Sequence, residues 1–465
     1  MAEKTPNQQL AEKLLFKPAY VGDKSAAVKQ EAHAFAEGYK KFLDAGKTER
    51  EVAAESEQML KDAGYQQFDP KKTYAPGDKV YFSQLGKAIV ASTIGTRSFE
   101  DGFHLVIAHT DSPRLDLRPT PLYESDHFSY FKTHYYGGIK KYQWPTVPLS
   151  LHGVIIKADG TKVTVNIGED ENDPVFCVSD LLPHLADEQY KRPAPKLIKG
   201  EELNIIIGSR PFRDDEGSEL VKLNIMLILN EKYGIVESDF ISAELEAVPA
   251  FKAKDVGFDR SLVGAYGQDD RVCAYTELMA VLELNNPEKT AVAILTDKEE
   301  TGSDGNTGLR SSYLRYFIAD LASTFGVKGR TVLQNSRCLS ADVNAAFDPT
   351  FPDVFEKRNS ALLNGGVCVT KYTGSRGKSG TSDASAEFAG EIRRLLDANG
   401  VIWQTGELGK VDIGGGGTVA AYIANLDVNT IDVGVPVLSM HAPFEITAKT
   451  DIWAAYRAFE AFVNN

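Results

Sequence analysis

The 465-residue chain is 43% hydrophobic and 25% charged, the balance of a folded globular protein with a large core, and that excludes wholesale disorder. A formal net charge of −14 argues against a nucleic-acid-binding surface and against docking on an anionic membrane. Length alone predicts two or three domains of roughly 150 residues.

The first residues, MAEKTPNQQLAEK, are polar and lack the apolar core of a signal peptide. Apolar side chains then recur three or four apart in VKQEAHAFAEGYKKFLDAG (28–46) and TEREVAAESEQMLKDAGY (48–65). These predict two helices, stopped by Gly46 and Gly64. YAPGDKVYFSQLGKAIVAST (74–93) alternates and carries turn residues, so a hairpin is expected. FHLVIAHTD (103–111) is a short buried-strand run.

From about residue 120 to 245 the pattern changes to short strand-like pieces between turns. LSLHGVIIKADGTKVTVNIGED (149–170), LNIIIGSR (203–210) and LILNEKYGIV (227–236) read as strands, with one candidate helix at VSDLLPHLADEQY (178–190). After about 248, strands and helices alternate again. RVCAYTELMAVLELNN (271–286), GLRSSYLRYFIADLAS (308–323), ASAEFAGEIRRLLDANG (384–400) and TDIWAAYRAFEAFVNN (450–465) read as helices. TAVAILTDKEE (290–300), RCLSAD (337–342) and NTIDVGVPVLSMH (429–441) read as strand segments. This alternation predicts an α/β fold whose mainly parallel sheet is covered by helices on both faces. The expected domains are residues 1–118 with 248–465 as the α/β unit, and 119–247 as a β-rich insertion.

Four scattered cysteines, Cys177, Cys273, Cys338 and Cys368, form no C-x-x-C pair and read as free thiols of a reducing compartment. The longest apolar runs, such as NIMLIL (224–229), are too short to span a bilayer. A soluble, cytoplasmic protein is expected.

The predicted strands end in an unusual set of side chains. HLVIAHTD ends in His109 and Asp111, AVAILTDKEE in Glu299 and Glu300, RCLSAD in Asp342 and VPVLSMH in His441; Asp269 and Asp270 precede a helix. In a parallel sheet the carboxyl ends of the strands lie along one edge, where ligands bind. Singly, each feature has an ordinary reading: a hydrogen-bonded histidine, a helix cap or a solvated turn. Together they gather carboxylates whose cost calls for a positive partner. Two imidazoles and three carboxylates suit zinc, cobalt or manganese better than calcium or magnesium. Five ligands suit two metals sharing a carboxylate better than one tetrahedral zinc with an open position. Asp111, two residues after His109, can accept the far ring N–H and fix the tautomer. Successive side chains leave an extended segment in different directions, so one of Glu299 and Glu300 can ligate while the other serves as general base.

The set AHTDSP (108–113), QDDR (268–271), KEETGS (298–303), SAD (340–342) and SMHAPFE (439–445) resembles the aspartyl aminopeptidase and aminopeptidase I family of dinuclear metallopeptidases. YYGGIKKYQW (135–144), LLPHL (181–185) and the last helix extend the likeness, and GELGKVDIGGGGTVA (406–420) is closer to the bacterial aminopeptidase I branch. The resemblance implies one metal on His109, Asp269 and Asp342, and a second on Asp269, Glu300 and His441. Glu299 would be the general base and Asp111 the residue that orients His109. Asp270 is not counted as a ligand. The insertion would be a dimerisation domain, and the assembly a tetrahedral dodecamer built from dimers. His184 would reach a neighbouring subunit's site, and Lys371 would lie near the substrate. The run Gly414–Gly417 leaves backbone N–H groups able to approach a substrate, or is merely a turn.

Ala345 stands where aspartyl members carry a histidine, and TGELGKVD (405–412) replaces an arginine-containing segment. A neutral or broad N-terminal preference is therefore expected over an acidic one. The expected activity is hydrolysis of the N-terminal bond of peptides by a dizinc-type enzyme. The rivals are a dimetal amidase or deacylase of N-acyl amino acids, and a shell-forming paralogue without catalysis.

Overall fold

A computed structural model describes residues 4–21, 24, 26–213 and 217–465. Three sheets organise the chain. The largest has nine strands, with four parallel ones at its centre: Ala291–Thr296, His104–His109, Arg337–Ser340 and Asn429–Gly434. The predicted hairpin, Lys79–Gln84 with Ala88–Thr93, adds antiparallel to Ala291–Thr296, and Val367–Thr370 adds antiparallel to Asn429–Gly434. Every residue of Ala291–Thr296 and His104–His109 is buried, which explains why both read as continuous apolar runs rather than alternating ones.

Helices cover both faces. One face packs beneath Ala26–Ala45, Glu49–Asp62, Gln268–Leu282, Ala386–Ala398 and Lys449–Val463 around Tyr39, Val106, Leu339 and Phe459. The other packs beneath Tyr313–Thr324 and Gly329–Asn335 around Phe103, Ile107, Ile294 and Leu314. Their starts are local sequence decisions. Thr48 accepts from the Glu51 N–H while Glu51 reaches back to the cap, and Ser385 accepts from the Phe388 N–H.

The second sheet has seven antiparallel strands drawn from Arg114 to Pro249, with its own core around Leu115, Trp144, Leu151 and Phe240. Two expectations fail here. Of the stretch read as a strand at 227–236, residues 227–233 belong to the helix Leu220–Tyr233, whose apolar residues run all round it, so no period distinguishes helix from strand. The candidate helix at 178–190 is instead a short strand, Cys177–Val178, a 3-10 turn, Pro183–Leu185, and a single helical turn, Asp187–Tyr190.

A small third sheet joins Lys254–Val256, Leu262–Ala265, Glu445–Ala448, Pro436–Leu438 and Asn344–Ala345. It splits the predicted strand 429–441. Asn429–Gly434 stays in the large sheet, and the chain crosses to the third at Pro436. A Cβ at Gly434 would lie 1.6 Å from the Asp342 carbonyl oxygen, so only glycine lets these two strand exits touch. Among the described residues, no helix is long and apolar enough to cross a membrane.

Candidate metal centre and cleft

The parallel strands deliver their ends to one place. His109 is the last residue of its strand, Glu299 and Glu300 lie in the 3-10 turn Glu299–Thr301 three residues beyond Thr296, and Asp342 lies two beyond Ser340. Asp269 arrives at the start of Gln268–Leu282. His441 comes from the loop between Pro436–Leu438 and Glu445–Ala448, in the third sheet rather than the large one.

The carboxylate of Asp269 stands between the two imidazoles. Its Oδ1 is 3.1 Å from His109 Nε2 and its Oδ2 is 3.2 Å from His441 Nε2. Asp342 Oδ1 lies 3.8 Å from His109 Nε2, and Glu300 Oε1 lies 3.4 Å from His441 Nε2. Potential ligand atoms of His109, Asp269 and Glu300 fall within 4.8 Å of one another, as do those of His109, Asp270 and Asp342. Asp270, left out of the ligand set by sequence reasoning, is thus at the centre's edge. Among the described residues it accepts no hydrogen bond from an N–H or O–H group, and the Cys273 thiol lies beside it.

The far nitrogen of each imidazole is fixed. His109 Nδ1 is 2.9 Å from the backbone oxygen of Asp111 and 3.4 Å from its carboxylate. His441 Nδ1 is 2.7 Å from the carbonyl oxygen of Gly138. The Asp111 carboxylate also grips the glutamate turn, accepting the Glu299 N–H at 3.1 Å, the Glu300 N–H at 3.2 Å and the Tyr136 hydroxyl at 2.8 Å. The expected carboxylate acceptor of the His109 ring is thus the farther one, behind the backbone oxygen, and the carboxylate's closer contacts are to the glutamate turn and Tyr136. Tyr136, Gly138 and Glu445, which accepts the backbone N–H groups of Asp269 and His441, were not singled out from sequence. Only the fold brings them to the strand tips.

No lysine or arginine among the described residues ion-pairs with Asp269, Asp270, Glu299, Glu300 or Asp342; the two histidines are their only basic partners. This shortage of positive charge sets the electrostatics. Burial pushes the Glu299 carboxyl up to about 8, with Asp342, Asp111 and Asp269 adding to it and His109 opposing. Burial and the Asp269 charge hold Glu300 far above its ordinary range. At His441 burial works against the charge, but Asp269 and Glu300 outweigh it and raise the imidazole to about 10. Such a donor set accepts a divalent cation readily.

The cluster opens into a cleft of about 560 Å³ lined by Asn344, Thr370, Tyr372, Arg376, Lys410 and the glycine run 414–417. Two predicted residues stay out of it. His184 sits exposed on the Pro183–Leu185 turn, and the Lys371 ammonium pairs with Asp383 at 2.9 Å.

A model of the aminopeptidase I zinc metalloprotease family (M18) matches residues 42–463. The chain belongs to this family. It is a hydrolase of the zinc metallo-aminopeptidase class. The probable M18 family aminopeptidase 1 of Clostridium acetobutylicum is 52% identical over 444 residues, covering 94% of this M18 chain and 96% of that protein. The crystal structure of aminopeptidase I from the same organism superposes with a TM-score of 0.92 at 49% identity, covering 97% of this chain and all of that one (100%). An M18-family aminopeptidase from Thermotoga maritima gives 0.91 at 44% identity, over 97% and 99% of the two chains. The α/β architecture of the M18 fold is thereby shown for this chain.

Proposed function

We propose that the protein is a dinuclear aminopeptidase that hydrolyses the N-terminal bond of peptides, with two divalent ions, zinc first and cobalt or manganese as substitutes, held in the cleft. The observation that carries this reading is Asp269, which turns one carboxylate oxygen toward each imidazole. His109, Asp269 and Asp342 would hold one ion, and Asp269, Glu300 and His441 the other. The residues fit: acids crowded without a lysine or arginine, flanked by imidazoles whose far nitrogens are already engaged. Bound there, the ions supply Lewis-acid polarisation of the scissile carbonyl and acidify water.

Glu299 does the proton transfer. It lines the cleft, and its turn is tied down through Asp111. With positive charge in the cleft its carboxyl ionises near neutrality, takes a proton from the attacking water and passes it to the leaving amine. The pairing of Lys371 with Asp383 and the presence of Ala345 support a neutral or broad preference at the substrate's first residue.

Residues 119–247 would form the dimerisation insertion of a dimer-based dodecamer in the cytoplasm. On the helix Leu220–Tyr233, Leu223, Leu227 and Ile228 are exposed at 49%, 37% and 50%, a partly bare apolar surface that suits cover by another copy. His184 would then serve a neighbouring site.

Glu299→Gln tests the proposal. The variant should keep both ions yet lose at least about 100-fold in kcat on aminoacyl substrates. Full activity would remove the assigned role.

A further inference from the structure

Glu445 is almost fully buried, at 1% exposure, and begins the strand Glu445–Ala448. Its carboxylate does not point at an imidazole or at solvent. Oε1 accepts the backbone N–H of His441 at 2.8 Å, and Oε2 accepts the backbone N–H of Asp269 at 3.1 Å. These two residues come from chain segments remote in sequence, and they face each other across the centre at 3.2 Å. The opposite side of Asp269 is held too, because the Ser112 hydroxyl donates to its carbonyl oxygen at 2.6 Å. His441 has a left-handed backbone, with φ +65°, a conformation that a non-glycine residue keeps only where its surroundings enforce it.

We infer that Glu445 is a positioning residue which sets the separation between Asp269 and His441, and through it the geometry of the cation subsite that these two residues share. This rests on the dinuclear reading above. A carboxylate suits the task because it offers two acceptor oxygens at a fixed distance. A glutamine of the same shape offers only one, and in either orientation its amide N–H₂ faces an N–H. One of the two anchors is then lost, while the volume of the site is unchanged.

The test uses the full-length zinc-loaded protein, with zinc affinity measured by competition against a chromophoric chelator. In E445Q, folded by circular dichroism, at least one zinc should bind about 10- to 100-fold more weakly, the usual effect of removing a residue that holds a ligand in place. Its kcat should fall while KM stays near wild type. E445D, whose shorter side chain reaches one N–H at most, should behave alike and decides the matter if E445Q does not fold. A folded variant that binds two zinc ions as tightly as wild type would overturn the inference and leave the dinuclear reading standing. A wild-type protein that holds no zinc would sink the dinuclear reading itself, and this inference with it.

Discussion

Tyr136→Phe removes one atom, and its consequence can be worked from the contacts. The lost hydroxyl makes the shortest of three hydrogen bonds to the Asp111 carboxylate, 2.8 Å against 3.1 and 3.2 Å for the Glu299 and Glu300 amides. Burial and the Asp111 charge push the phenol well above its ordinary range, so it stays a donor at any working pH. The ring should stay in place, because the Arg114 guanidinium stacks on it at 4.0 Å. A hydrogen bond to a charged group contributes about 1.5–3 kcal/mol. If all of that is expressed in how the glutamate turn is held during reaction, kcat/KM falls roughly 10- to 150-fold. Steady-state hydrolysis of an aminoacyl p-nitroanilide with saturating zinc measures this, alongside a melting curve. The loss should fall on kcat. A variant within twofold of wild type would refute the idea that Asp111 transmits the position of Tyr136 to Glu299. So would a loss accounted for by unfolding at the assay temperature.

His109→Ala and His441→Ala should each lose tightly bound metal; elemental analysis showing two retained ions in either would overturn the ligand assignment. In the metal-free protein Glu299 and Glu445 rise to about 8, Asp432 to about 7 and His441 to about 10, burial being the largest cause for the acids. The raised His441 contributes stability that is complete below its unfolded value of 6.5 and is lost as pH rises through about 10. The raised acids penalise folding increasingly above their unfolded values of 3.8–4.5. Both signs agree, so the melting temperature of the metal-free protein should drop between about pH 6 and 9, and drop less with zinc bound; a flat or rising profile would contradict the burial of uncompensated acids. Ile228→Glu should reduce the assembled mass in a sedimentation experiment, and an unchanged mass would show that the helix Leu220–Tyr233 is not an assembly face.

The parts of the site carried by strand tips are legible in the sequence because a buried parallel strand announces itself as an apolar run, and the residues just past its end fall at the sheet edge. His109, Glu299, Glu300 and Asp342 stand out in that way. His441 stands out as strand-end chemistry, but its strand leaves the large sheet at Pro436, a crossing that no local pattern specifies. Tyr136, Gly138 and Glu445 lie in stretches that carry the family resemblance, but their roles escape sequence reasoning because Gly138 acts through its carbonyl oxygen, Glu445 acts on backbone N–H groups, and all three depend on contacts between remote segments. The helix Leu220–Tyr233 reads wrongly for the opposite reason: its apolar residues are spread round the whole circumference, so the usual amphipathic stripe is absent.

Gly138 supports His441 with a carbonyl oxygen, which side-chain replacement does not delete. Its neighbour Gly137 is less free: with φ +72°, a Cβ there would stand 3.1 Å from Glu300 Oε2 and 3.3 Å from Pro113. The antiparallel sheet can therefore drift over its outer surface without touching the chemistry, provided that the few residues where its strand Phe128–Tyr136 exits keep their path. Anyone grafting a different insertion onto this scaffold would have to preserve that exit, or graft a peptidase whose histidine has lost its rest.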